Sequence, residues 1–448
     1  MFKLKPYAAA AMIVALLAGP GLASQVQLDV SMANRMLLAG KKQTTFVKVG
    51  LRGFKIKNAK HRAPVNVAIV LDKSGSMSGQ KIAEAKAAAI AAVERLGRQD
   101  IVSVVAYDST VRVVVPATKL SDKQSVINKI RQLDAGGSTA LFAGVSKGAE
   151  EARKFIDKRR VNRIILLSDG LANVGPKSPS ELGRLGATLM KEGISVSTMG
   201  LGLDYNEDLM TKLAQQSGGN HAFIEGAEDL VRIFNYEFNS VLSVVAQEVA
   251  INIRAAEGIR PVRVLNQDAE INGQQVIAKM NQLYSDQEKY VLLEVEVPPN
   301  KNNKTIEVAE VRVSYSNMET ETTDRLSSVV SVKFTNSAAD VEKNLNTEVS
   351  TACVLQISNL QNELATSLRD KGDIDGARRL LIANGKYLED NGKKLNSAFL
   401  RKRGFDNRYQ SGKLSDKDWA QSRKAMREQQ FFDASQQIYS GAKPKPQK

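Results

Sequence analysis

Between Val65 and about Val245, five apolar runs alternate with stretches of helical periodicity, and this pattern limits the fold more tightly than any other feature. The runs cover Val65–Leu71, Ile101–Tyr107, Val111–Val115, Arg163–Leu167 and Ile194–Gly200. Helical spacing is predicted over Lys81–Leu96, Lys123–Leu133, Leu141–Phe155, Pro179–Lys191 and Glu207–Ser217. Continuously apolar strands joined by helices must be covered on both faces, which predicts an α/β unit with a doubly wound, mostly parallel sheet. Sheets of this kind take ligands in the crevice beyond the carboxyl ends of their strands.

On either side the pattern changes. Residues 24–60 contain two stretches of alternating apolar and polar residues, and 246–335 contain four more, all rich in Val and Ile. The two segments are expected to join as one β-sandwich into which the α/β unit, 64–245, is inserted. Beyond Asn336 the periodicity is helical. Leu345, Val349, Cys353, Ile357, Leu360 and Leu364 form one stripe, followed by Leu380, Leu381, Tyr387 and Leu388, then by Trp419, Met426, Phe431 and Phe432. A small helical module over 340–440 and a basic tail at 441–448 are the reading. Cys353, the single cysteine, falls on the stripe and is expected to be a buried, inert thiol.

The first residues read as a secretory signal. Lys3 and Lys5 precede an apolar run from Ala8 to Leu17, and small residues follow, so cleavage is expected after Ala23. No later segment is apolar enough over sufficient length to cross a membrane. The chain is thus expected to be exported, to a periplasm, a cell surface or the medium. Its 63 Lys+Arg against 48 Asp+Glu give a net +15, or +13 without Lys3 and Lys5. For an exported chain such a surface suits acidic proteins or anionic envelope polymers, and nucleic acid is not expected. Arg401, Lys402 and Arg403 form its densest basic run and are candidate partner contacts.

The chemistry concentrates at the end of the first apolar run, in "VNVAIVLDKSGSM". Asp72, Ser74 and Ser76 can each turn one oxygen toward a common point as the loop curls over the strand end. Hard divalent cations require such oxygen ligands. Three ligands leave the site incomplete, and two later loops stand at suitable places: "AGGSTALFAG" with Thr139 and "RIILLSDGLANVG" with Asp169. In this order and framework, the five residues resemble the metal-ion-dependent adhesion site of the von Willebrand factor A family. The resemblance covers roughly Val65 to Val245. The flanks look like those of exported bacterial proteins with this domain and, more distantly, of inter-alpha-trypsin inhibitor heavy chains.

The resemblance implies that Ser74, Ser76 and Thr139 bind the metal through hydroxyls, while Asp72 and Asp169 contribute charge directly or through water. Magnesium is the implied ion, with manganese or calcium also acceptable to oxygen ligands. It further implies a protein partner whose Asp or Glu completes the coordination. Enzyme readings find little support. His61 and His221 are the only histidines, so no His-rich zinc centre can be built. Neither a GxSxG elbow nor a GxxxxGK[ST] loop occurs. The expected function is metal-dependent protein binding. The alternative is an envelope scaffold in which the metal is structural and the basic helical tail holds the partner or an anionic polymer.

Overall fold

The computed structural model describes residues 25–56, 62–265 and 267–437, so the signal-like segment 1–23, His61 and the basic tail 441–448 lie outside the described residues. Three strands come first: β1 (Gln27–Met32), β2 (Met36–Leu38) and β3 (Gln43–Arg52). The α/β unit follows as β4 (Val65–Asp72), α1 (Gln80–Arg95), β5 (Ile101–Tyr107), β6 (Val111–Lys119), α2 (Lys123–Arg131) and α3 (Leu141–Arg153). It continues as β7 (Val161–Ser168), α4 (Pro179–Lys191), β8 (Ile194–Leu201), α5 (Glu207–Ser217), β9 (His221–Ile224) and α6 (Leu230–Leu242). Then come β10 (Val244–Ala255), β11 (Arg260–Val264), β12 (Ala269–Asn272), β13 (Gln275–Tyr284), β14 (Glu288–Val297), β15 (Thr305–Asn317) and β16 (Thr323–Thr335). Five helices end the described chain: α7 (Ala338–Lys343), α8 (Thr347–Asp370), α9 (Ile374–Lys394), α10 (Ala398–Ser411) and α11 (Asp416–Ser435).

The α/β unit is the doubly wound sheet that the apolar runs predict. Its strand order is β6-β5-β4-β7-β8-β9, parallel except for β6. Every residue of β4 is buried, because helices cover both faces. On one face the small side chains Ala85, Ala88, Ala89 and Ala92 let α1 lie close to the sheet, beside Phe234 and Phe238 of α6. On the other face Val145 and Ala149 of α3 and Leu182 and Leu189 of α4 pack against Val70, Ile164 and Val196. Edge strand β6 tolerates Pro116, which donates no hydrogen bond.

β7 begins at Val161, two residues before the apolar run, because its polar start is satisfied internally. Arg163 is fully buried, and its guanidinium donates to Ser197 Oγ at 2.8 Å and to Tyr284 Oη at 3.0 Å, with Glu237 of α6 at 3.6 Å. This network joins the foot of the α/β sheet to β13 of the neighbouring domain.

That domain is one sandwich drawn from both sides of the α/β unit. One sheet runs β1-β3-β14-β11, with Gln43–Arg52 paired antiparallel to Val297–Glu288; the other runs β12-β13-β10-β15-β16-β2. The α/β unit is therefore an insertion between β3 and β10. Cys353 of α8 is buried with Val349 against Leu265 and Leu292, and burial pushes its thiol up to about 12. Leu364, assigned to the same stripe, is instead exposed, since the sandwich contact ends near Leu360.

No local feature of α11 indicates where it packs. It lies along β9 and α5 and closes the open edge of the parallel sheet. Glu428 accepts the Phe223 N–H at 2.7 Å, and Gln437 accepts the His221 N–H at 3.2 Å. Unpaired edge amides of this kind otherwise invite strand addition. His221 is buried between Tyr205 and Phe431, with Nδ1 2.8 Å from Thr198 Oγ1. Burial lowers its pKa to about 3, so the ring is packed and neutral.

Burial also pushes the Glu428 carboxyl up to about 7, with the Phe223 hydrogen bond pulling only part of the way back. Because the folded value lies above the ordinary one, the fold favours the protonated acid. This contribution is present at low pH and is lost as pH rises through about 7. Glu428→Gln keeps an acceptor for Phe223 and removes the titration. The variant's melting temperature is expected to match the parent's near pH ~5 and to exceed it by several degrees at pH ~8, measured by scanning calorimetry. A pH-independent difference would contradict the assignment.

Candidate functional site

β4 delivers Asp72 to the carboxyl edge of the sheet, fully buried. Its Oδ1 accepts the Ser74 N–H at 2.9 Å and its Oδ2 accepts the Ser168 hydroxyl at 2.7 Å. Ser168 can reach because β7 runs parallel to β4 with Leu71 opposite Leu167. After Asp72 the chain makes one 3₁₀ turn, Gly75–Met77, anchored by the buried Met77 side chain. The turn brings the Ser74 and Ser76 hydroxyl oxygens to 3.1 Å, and Ser76 Oγ donates to Asp169 Oδ1 at 2.6 Å.

The second loop is tied to the first by reciprocal backbone bonds. Gly75 N–H donates to Gly137 O at 2.9 Å, and Gly136 N–H donates to Lys73 O at 2.7 Å. Gly137 has φ +86°, and a Cβ there would fall 3.0 Å from Asp108 Cβ, so the position admits only glycine. This loop carries Thr139, whose N–H donates to Asn173 Oδ1 at 2.8 Å while its carbonyl accepts the Asn173 N–H at 3.1 Å. Three loops thus converge, each fixed before any ligand arrives.

The residues fit a hard cation. A Cβ added to Gly170 would lie 3.1 Å from Thr139 Oγ1 and 3.5 Å from Ser76 Oγ, so hydroxyls from separate loops face one space that glycine leaves open. Among the described residues, no three His, Cys, Asp or Glu side chains cluster as metal ligands, which leaves a hydroxyl-rich donor set with two carboxylates. Burial pushes the Asp72 carboxyl above its usual range, against the hydrogen bonds from Ser168 and Ser74, and neighbouring Asp169 adds to the rise. The same burial and the Asp72 charge raise the Tyr107 hydroxyl well above its ordinary value. Of these two buried acids Asp169 is matched in part by Lys81, while Asp72 is held by the Ser74 N–H and the Ser168 hydroxyl.

All five residues identified in the sequence, Asp72, Ser74, Ser76, Thr139 and Asp169, meet here. Two others, Ser168 and Lys81, were missed as parts of the site, while Asn173 makes the loop hydrogen bonds that its place beside the site leads one to expect. Ser168 orients Asp72, Asn173 holds the Thr139 loop, and Lys81 of α1 places Nζ 2.5 Å from Asp169 Oδ2. Ser168 immediately precedes Asp169, and that adjacency was the available signal. Lys81 acts through a contact 88 residues away, which spacing does not reveal. Asp108 caps its own turn, accepting the Thr110 N–H at 2.7 Å, and pairs with Lys73.

The basic run on α10 does not form one patch. Arg401 and Lys402 are exposed, with Arg401 donating to Gly392 O at 3.0 Å. Arg403 turns inward to Asp433 at 2.8 Å and lies over the Phe399 ring, so its charge is used within the helical segment and is not a free partner contact.

Comparison with known proteins bears on the α/β unit that carries these residues. The profile of the von Willebrand factor type A domain matches residues 66–235. An uncharacterized protein of Synechocystis sp. is 25% identical over 335 residues, covering 72% of this chain and 79% of the relative. Human inter-alpha-trypsin inhibitor heavy chain H2 is 26% identical over 200 residues, which are 42% of this chain and only 21% of the heavy chain. Among solved structures, a von Willebrand factor type A protein from Catenulispora acidiphila superposes with a TM-score of 0.69 at 18% identity, covering 85% of this chain and 89% of its own. At that identity the likeness carries the fold alone.

Ser168→Ala removes the hydrogen bond that aims Asp72. Loss of such an orienting partner typically weakens metal binding about 10–100-fold. Calorimetric titration of the chelator-stripped variant with Mg2+ should show that loss, and unchanged affinity would mean that Asp72 is not positioned by Ser168.

Proposed function

Taking these matches as the premise that the chain carries a von Willebrand factor type A domain, we propose that it is an exported, non-enzymatic protein that grips an acidic side chain of a protein partner through a divalent cation. The observation that carries this reading is the convergence of Asp72, Ser74, Ser76, Thr139 and Asp169 from three loops at the carboxyl edge of one parallel sheet. Domains of this type are protein-interaction modules with a divalent metal at this position, and hydroxyl and carboxylate donors favour Mg2+ over softer ions.

The division of labour follows from charge. Ser74, Ser76 and Thr139 supply neutral oxygens, so only Asp72 and Asp169 offset a dication. Lys81 holds the second oxygen of Asp169 at 2.5 Å and draws on that carboxylate's charge. When bound, the metal would supply an electrophilic centre able to take one further carboxylate oxygen. The protein's own groups hold that centre rigidly: Asp72 through Ser168, and Thr139 through Asn173. No described helix is long and apolar enough to cross a membrane, and the export signal read at 1–23 supports work outside the cytoplasm.

Asp72→Ala removes one of two offsetting charges and the anchor of the first loop. The parent should bind Mg2+ and Mn2+ saturably after chelator stripping, and the variant should bind neither within the calorimetric range. Capture of protein partners by the immobilised parent should be abolished by EDTA and by Asp72→Ala alike. EDTA-resistant capture that disappears on deletion of 337–448 would favour the scaffold alternative.

A further inference from the structure

The candidate metal site adjoins a cleft of about 690 Å³ whose lining also includes residues of α11. Ser76 and Thr139 line it together with Leu171, Leu203, Ala420 and Arg423. The unit at 66–235 alone would present its site with that flank open, so the C-terminal helix gives it a boundary. The wall is firmly placed. Lys424 donates to Tyr205 O and to Glu207, each at 2.7 Å, and lies 4.1 Å from the Tyr205 ring centroid. Arg423 pairs with Glu207, with Asp208 at 2.6 Å and with Asp370 at 2.8 Å.

Two properties of the cleft define what it accepts. Its lining includes two exposed apolar side chains: Leu171 and Leu203 are 58% and 46% exposed, each standing in a loop beside polar groups. Its charge is unsuited to a second acid. The cations of α11 are already matched by Glu207, Asp208 and Asp370, while Asp204 lies exposed in the cleft. An acid beside the metal-bound one would meet a carboxylate, and an apolar side chain would meet two leucines.

We propose that this cleft is a specificity subsite, seating an apolar side chain adjacent to the partner's metal-bound Asp or Glu, with α11 as its wall. The inference rests on the metal-mediated reading above and adds the partner's local sequence: one acid with an apolar neighbour, not an acidic tract. The helical domain then takes part in recognition as well as in stability.

The test uses the full mature chain with Mg2+ and three capped tetrapeptides: acetyl-Gly-Asp-Leu-Gly-amide, its Asp-Gly counterpart and its Asp-Asp counterpart. The Asp-Leu peptide is expected to bind about tenfold tighter than Asp-Gly, the size of one partly buried leucine contact. The Asp-Asp peptide should bind no better than Asp-Gly. Leu203→Ser and Ala420→Trp should each erase the leucine preference while leaving Mg2+ affinity, melting temperature and Asp-Gly affinity unchanged. Equal affinity for the Asp-Leu and Asp-Gly peptides, or a preference that survives both substitutions, would overturn the subsite and leave the metal-mediated reading standing. If none of the peptides binds while Mg2+ still titrates normally, the carboxylate-gripping reading falls and the subsite falls with it.

Discussion

Asp72 ends a strand buried on both faces, and its two carboxylate oxygens are held by the Ser74 N–H and the Ser168 hydroxyl. A carboxylate in that position is costly unless hydrogen-bonded and matched by positive charge. Both bonds depend on the sheet. The parallel register of β4 and β7 sets Ser168 and Asp169 beside Asp72, and the 3₁₀ turn after Asp72 returns Ser74 and Ser76 to the same edge. The paired backbone bonds between residues 73–75 and 136–137 bring in Thr139. The site is therefore preorganised: the ordering of its loops is achieved by folding and not by ligand binding.

The placement of this site within a larger frame follows from two sets of polar contacts, one at the far end of the sheet and one beside the cleft. Arg163 ties β7 to α6 and β13, so the inserted unit meets its sandwich through a buried network at the foot of the sheet. At the side, α11 seals β9 and ion-pairs with the start of α5. The α/β unit is held at both places by chain segments that follow it in sequence, one at the foot of the sheet and one beside the cleft that adjoins the candidate metal site.

Much of this was legible in the sequence where the determinants were local. Val65–Leu71 and Ile101–Tyr107 announced buried parallel strands because neither contains a polar face. The DKSGS loop offered three candidate ligands because their spacing is itself the geometry, and Thr139 and Asp169 stood out as candidates from the loops that carry them. Legibility failed where a polar residue was satisfied by a distant partner. Arg163 sits inside a fully buried strand only because Ser197, Glu237 and Tyr284 surround it. Lys424 is buried on α11 because Glu207 and the Tyr205 carbonyl receive it, 217 and 219 residues away. Leu364 continued a periodic stripe but had no surface left to cover. Periodicity reports which residues seek burial, and it does not report what they meet.

Partner binding through the metal requires that the hydroxyl-rich site leave a bound dication with a coordination position that a carboxylate can enter. The most direct measurement is electron paramagnetic resonance of the Mn2+-loaded chain in 17O-enriched water, with and without acetate. Line broadening from metal-bound water in the loaded protein, reduced when acetate is added, is the predicted result. A Mn2+ centre with no exchangeable bound water, or one whose bound water acetate leaves untouched, would contradict it.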